Sequence, residues 1–169
     1  DGYARWEASQ QLSLLVLNEL IAAHQKGSND KNEFIVDERI VAAFNSVLDA
    51  ALADPSLDKA MLANLLLLPS ESYHAELTDV VDVDAIHFAR EFLRRYLAGK
   101  LENKFMAVYA ACSSSEEYLF NAQEIARRYL KNTVLNYLAC LDKPEHWALI
   151  KEQYQLANNM TDSSAALRA

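Results

Sequence analysis

The sequence predicts an all-α fold in which antiparallel helical hairpins stack side by side as an irregular α-solenoid or bundle. Three observations carry this. Apolar residues recur at helical spacing over long stretches, Gly and Pro number only three each in 169 residues, and the breaks between stretches are short and polar. A chain so poor in turn formers lacks the punctuation of a many-stranded β fold. Its length suffices to bury roughly two-thirds of the surface exposed by the unfolded chain, so residues 1–169 read as a single helical domain that needs no staple.

From about Ala4 to Lys26, Trp6, Leu14, Leu17 and Ile21 mark one helical face, and Gly27 closes the helix before Ser28-Asn29-Asp30. A second helix is expected from about Asp37, with Ile40, Val41, Phe44, Val47, Leu48 and Leu52 in its stripe and Val36 and Val41 spaced as a hydrophobic staple. Asp54-Pro55 breaks the chain ahead of a short helix over Ser56 to Leu68, whose leucine run Leu65 to Leu68 reads as a buried helix end. Pro69-Ser70-Glu71 then turns the chain.

The longest element runs from about Val83 to Ala111, with Ile86, Ala89, Leu93, Tyr96, Leu97, Leu101, Phe105 and Val108 on one face. After Ser113-Ser114-Ser115 a short helical turn is expected. Asn121 and Glu124 then have capping-box spacing, flanked by Phe120 and Ile125 as a staple, and the next helix carries Ala126, Leu130, Val134, Tyr137 and Leu141. Asp142-Lys143-Pro144-Glu145 repeats the pattern, with Asp142 as cap and Trp147, Ile150, Tyr154 and Ala157 as the buried face. Thr161 or Asp162 would cap a final, truncated helix. No fixed-period repeat is visible in the sequence.

A net charge of -8 without any basic stripe opposes binding to nucleic acid and to anionic membrane surfaces. There is no signal peptide and no apolar stretch of membrane-spanning length, which reads as cytoplasmic. The chain starts at Asp1 without an initiator Met and stops at Ala169 inside a helix-favouring run, so both ends read as cut from a longer polypeptide.

No constellation carries catalysis or metal binding. His24, His74, His87 and His146 lack the paired spacing of a helical zinc site, and His74-Ala75-Glu76 places its two groups on different helix faces. Cys112 and Cys140 stand apart in apolar helical runs, where a buried reduced thiol is the better reading than a metal or redox motif. Ser113-Ser114-Ser115 reads as a cap, not a nucleophile. Tyr96, Tyr109, Tyr129, Tyr137 and Tyr154 read as core packing with the hydroxyl free to reach a partner. Arg94-Arg95 and Arg127-Arg128 could grip a partner's carboxylate but read first as solvated helix faces with carboxylate neighbours.

The stretch Glu152 to Leu167, with Ala157-Asn158-Asn159-Met160-Thr161-Asp162 at its centre, resembles a segment of the C-terminal helical domain of the bacterial aminopeptidase N family. Arg5-Trp6-Glu7-Ala8, Leu68-Pro69-Ser70-Glu71, Ala107-Val108-Tyr109, Ile125 to Asn132 and Leu138-Ala139 follow the family in the same order, so the resemblance spans the chain. It implies a zinc metallopeptidase that removes N-terminal residues from peptides. It also implies that the HExxH zinc motif and the glycine-rich exopeptidase motif lie in an upstream catalytic domain, since neither occurs here. No catalytic, cofactor or metal residue is therefore carried over to this chain. Zinc belongs to the parent, and the partners are the upstream catalytic domain and peptide substrates. The helical domain would cover the active site and limit access. The rival reading is a stand-alone helical-repeat module that binds peptides or proteins; a complete small helical enzyme is weaker still.

Overall fold

The computed structural model describes residues 2–27 and 34–169. Among them are eight helices and no strand: α1 Gly2–Gln25, α2 Glu38–Ala53, α3 Lys59–Leu65, α4 Glu71–Glu76, α5 Val83–Cys112, α6 Ala122–Ala139, α7 Pro144–Leu156 and α8 Met160–Arg168. The all-α, solenoid-like reading holds. Ser28-Asn29-Asp30 lie outside the described residues.

Side-chain caps set most of the boundaries. Asp37, Asp58, Ser70, Asp82, Asn121 and Asn159 each accept a hydrogen bond from a backbone N–H of the first turn of α2, α3, α4, α5, α6 and α8, which satisfies donors that the helix cannot. Gly27, with φ +79°, ends α1 in the left-handed region that favours glycine.

Three expected caps or turns differ. Asp142 does not cap α7; it adopts φ 52°, Lys143 takes the cap position without a side-chain bond, and Asp142 accepts instead from the Trp147 indole N–H at 2.8 Å. The start of α8 is capped by Asn159, upstream of both Thr161 and Asp162. Residues 113–121 contain no helical turn, and Phe120 and Ile125 are exposed instead of stapled together.

α5 is the central element, packed against α1, α2, α4 and α6, while α6 also meets α3, α7 and α8. Ile86, Ala89, Leu93, Leu97, Leu101, Phe105 and Val108 are all buried, as the stripe predicts. The helix kinks at Leu101 (φ -119°, ψ 16°). One residue later, Glu102 takes Lys143 Nζ at 2.6 Å and lies 2.8 Å from His146 Nε2, which ties α7 to the kink.

The core is knit by Tyr137. Its ring stacks on Phe105 at 4.7 Å and meets Phe44 edge-on at 5.9 Å, and its hydroxyl donates to the Leu66 carbonyl at 2.5 Å. One ring thus joins α2, α5, α6 and the end of α3. The short third helix is trimmed to Lys59–Leu65; within the leucine run Leu65, Leu66 and Leu68 are buried while Leu67 is exposed.

Candidate functional site

An open cleft of about 720 Å³ lies between the C-terminal half of α5 and α7, with Met106, Leu149 and Leu156 among its apolar lining and Lys131 and Asp162 in its floor. Beneath it runs a chain of buried polar groups. Tyr109 on α5 donates to Gln153 Oε1 on α7 at 2.8 Å, and Gln153 Nε2 donates to Asn132 Oδ1 on α6 at 2.8 Å and to the Asp162 carbonyl at 3.0 Å. Asn132 Nδ2 and Lys131 Nζ complete the seam by donating to the two Asp162 carboxylate oxygens at 2.8 and 2.6 Å. Four helices meet in it.

The electrostatics follow from that packing. Burial alone would raise the pKa of Asp162, but the hydrogen bonds from Lys131 and Asn132 and the Lys131 charge outweigh it, so its carboxyl is held below the usual range. The Tyr109 hydroxyl is pushed up to about 12 by burial and by the negative charges of Asp162 and Glu152. It stays protonated and serves as a donor. Nothing in the seam is poised as a general base or nucleophile near neutral pH. Its chemistry is positioning: it fixes α8 against α6 and α7.

A second groove, about 480 Å³, runs along α5 beside Phe88, Phe92 and Tyr96. These rings stack at 5.9 and 6.3 Å, and His24 stacks on Phe88 at 4.3 Å. Tyr96 donates to Glu38 at 2.6 Å and lies under Lys100.

The four histidines fall on four separate helices. His24 stacks on a ring, His87 bonds Glu71 at 2.9 Å, His146 is buried against Glu102, and His74 is buried with its pKa lowered by desolvation. Among the described residues no group of three or more His, Cys, Asp or Glu is gathered that could hold a metal ion. Among them, too, no helix is long and apolar enough to cross a membrane. Cys112 is buried, Cys140 half-buried, and burial raises both thiol pKa values.

Two tyrosines depart from the expected core. Tyr137 and Tyr109 are buried and Tyr96 is half-buried, but Tyr154 is 49% exposed and Tyr129 lies at the surface with its hydroxyl on Asn64. The face of α7 turns with it: His146, Ile150 and Gln153 are buried while Trp147 is exposed. Arg127 and Arg128 are not a solvated pair. Arg128 is 3% exposed, and both share the Glu124 carboxylate. Arg94 pairs with Glu91 at 2.6 Å, and Arg95 is exposed.

Gln153, Asn132 and Glu102 were not singled out from sequence. The one local sign for Gln153 is a polar residue three positions after Ile150 on the helix's apolar stripe.

Three of the stretches that carried the family resemblance meet in the seam, and a fourth shapes the start of α4. Lys131 and Asn132 meet Asp162, Tyr109 reaches the same seam, Ser70 caps α4, and the Pro69 carbonyl accepts from Arg90 at 2.9 Å. Over residues 1–169 the chain matches the family described as "Domain of unknown function (DUF3458_C) ARM repeats". The chain belongs to this family. The ARM-repeat domain is similar to aminopeptidase N of Escherichia coli (strain K12), 36% identical over 169 residues, covering 100% of this chain and 18% of that protein. Aminopeptidase N of Haemophilus influenzae is 32% identical over 165 residues, covering 98% of this chain and 18% of that protein. The fold is also that of part of the crystal structure of Legionella pneumophila aminopeptidase A in complex with aspartic acid, with a TM-score of 0.76 at 24% identity over 99% of this chain and 19% of that one. This chain thus spans less than a fifth of each of these relatives.

Proposed function

We propose that this chain is a non-catalytic part of the C-terminal helical domain of a cytoplasmic bacterial zinc aminopeptidase that removes N-terminal residues from peptides. The observation that supports the reading is the match to aminopeptidases N along the whole of this chain and only 18% of their length. The zinc ligands and general base belong to an upstream catalytic domain of the same polypeptide. Residues 1–169 contribute shape, as one helical domain within a larger one.

In that setting the helices cover the active site and limit access to flexible peptide ends. A wall that excludes water strengthens the electrostatics at a metal centre, and a narrow entrance spares folded proteins. The buried seam suits this role, because a wall made of stacked helices has to hold its shape without the help of a ligand.

The test compares the isolated chain with the full-length polypeptide that carries it. Metal analysis and an alanyl-anilide assay are expected to find zinc and turnover in the full-length protein and neither in the isolated chain. One tightly held zinc per isolated chain, with turnover abolished by a chelator, overturns the reading. A full-length protein without aminopeptidase activity does the same.

A further inference from the structure

Residues 113–121, between α5 and α6, have no regular structure and expose Tyr118, Leu119 and Phe120, the last at 81%. Ile125, in the first turns of α6, is exposed beside them in sequence. Four apolar side chains so close along the chain are unusual for a surface connection, which ordinarily carries polar residues.

The loop is nevertheless held at several points. The Arg127 guanidinium donates to the Cys112 carbonyl where the loop begins, Arg128 donates to the Leu119 carbonyl at 3.2 Å, and Asn158 donates to the Glu116 carbonyl at 3.3 Å. Arg128 also lies over the Tyr118 ring at 4.9 Å while itself buried. These side chains come from α6 and from the α7–α8 connection, so two separate parts of the fold fix the loop's backbone. Such bonds satisfy backbone carbonyls, yet they leave Leu119 and Phe120 facing outward. An aromatic group presented on a fixed backbone loses little entropy on docking and makes an effective anchor.

The charge at the site selects the partner. Arg127 and Arg128 both face Glu124 and are largely buried, so the charges the loop itself exposes are those of Glu116 and Glu117.

We infer that the Tyr118-Leu119-Phe120 loop is a docking anchor for another segment of the same parent polypeptide, a surface with an apolar pocket for Phe120 and Lys or Arg facing Glu116 and Glu117. This rests on the proposed function. The occupant is sought within the same polypeptide because the relatives extend far beyond the region matched, and because repeat units bury their apolar faces against neighbouring parts of the same chain.

The experiment places a photoreactive phenylalanine analogue at position 120 of the full-length polypeptide and maps the cross-linked peptides. Intramolecular cross-links from position 120 to a segment outside residues 1–169 are the expected result. Cross-links only within 1–169, only between two copies, or none at all overturn the inference. A second measurement uses Phe120→Ser in the full-length protein. Cleavage within 113–121 under limited proteolysis is expected to become several-fold faster, whereas unchanged cleavage counts against docking. Alanyl-anilide turnover recorded on the same full-length samples separates the two ideas. Turnover without the cross-link sinks the anchor and leaves the aminopeptidase reading standing; absence of turnover in the unsubstituted protein sinks that reading.

Discussion

Lys131 on α6 and Asp162 on α8 form a buried ion pair at 2.6 Å, each side chain 8% exposed, between two segments of sequence that independently resemble one protein family. The pair is the centre of the seam. Replacing Asp162 with Asn keeps the shape but leaves the Lys131 cation buried without a counter-charge, and breaking a buried pair in this way costs about 3 kcal/mol or more. Urea denaturation of Asp162→Asn is expected to show a midpoint lowered to match. A loss below about 0.5 kcal/mol, the range of ordinary surface substitutions, would mean that the seam does not hold α8 in place.

The same carboxylate gives a dependence on pH with a definite sign. Because the folded-state pKa of Asp162 is depressed, its stabilisation is complete above the unfolded value, about 3.9, and is lost as pH falls through the lower folded value. The stability difference between the natural protein and Asp162→Asn is therefore expected to be constant at neutral pH and to shrink below about pH 4. Denaturation curves of both proteins down the acid range provide the check, and a difference that does not change with pH would assign the deficit to packing instead of charge.

Tyr137 makes a separate case for the core. Tyr137→Phe keeps the stack on Phe105 but removes the hydroxyl that donates to the Leu66 carbonyl, in a core that excludes water. Leaving a buried acceptor unsatisfied costs about 1–3 kcal/mol. The urea midpoint is expected to fall with an unchanged slope; an unaltered midpoint would show that the Leu66 carbonyl finds another donor.

How much of this was legible in the sequence depended on distance along the chain. The α5 stripe from Ile86 to Val108, the Gly27 stop and the Asn121 cap are local patterns, and each lies where local physics puts it. The α7 face was misread because Trp147 and Tyr154 outrank His146 and Gln153 in hydrophobicity. What decides that face is Glu102 and Tyr109, 44 residues away in both cases, which supply buried polar partners that no window along α7 contains. Asp162 failed for a related reason: an acidic residue near a helix start looks like a cap whether or not a lysine on another helix claims it. A carboxylate neighbour for Arg128 is legible in the sequence and Glu124 supplies it, but nothing local signals that Leu119 and Tyr118 enclose the side chain.

The two cysteines provide a readout of how tightly the central helices hold together. The thiolate is the reactive species, and burial raises both pKa values, so each is a poorer nucleophile near neutral pH than an exposed cysteine. They differ in access. Cys140 is half-buried at the end of α6 and donates to the Asn136 carbonyl at 3.2 Å, whereas Cys112, the last residue of α5, is 2% exposed in the core. A thiol reagent can reach half-buried Cys140 through a small local opening, but Cys112 only when the core packing around the end of α5 opens. Native labelling is therefore expected in two phases, Cys140 first and Cys112 second, both slower than in denaturant, with mass spectrometry assigning each phase. Asp162→Asn should accelerate the slow phase if α8 helps to clamp α6. Labelling of Cys112 at the unfolded rate in the native protein would contradict its burial, and a slow phase indifferent to Asp162→Asn would place the α8 clamp outside the opening that exposes it.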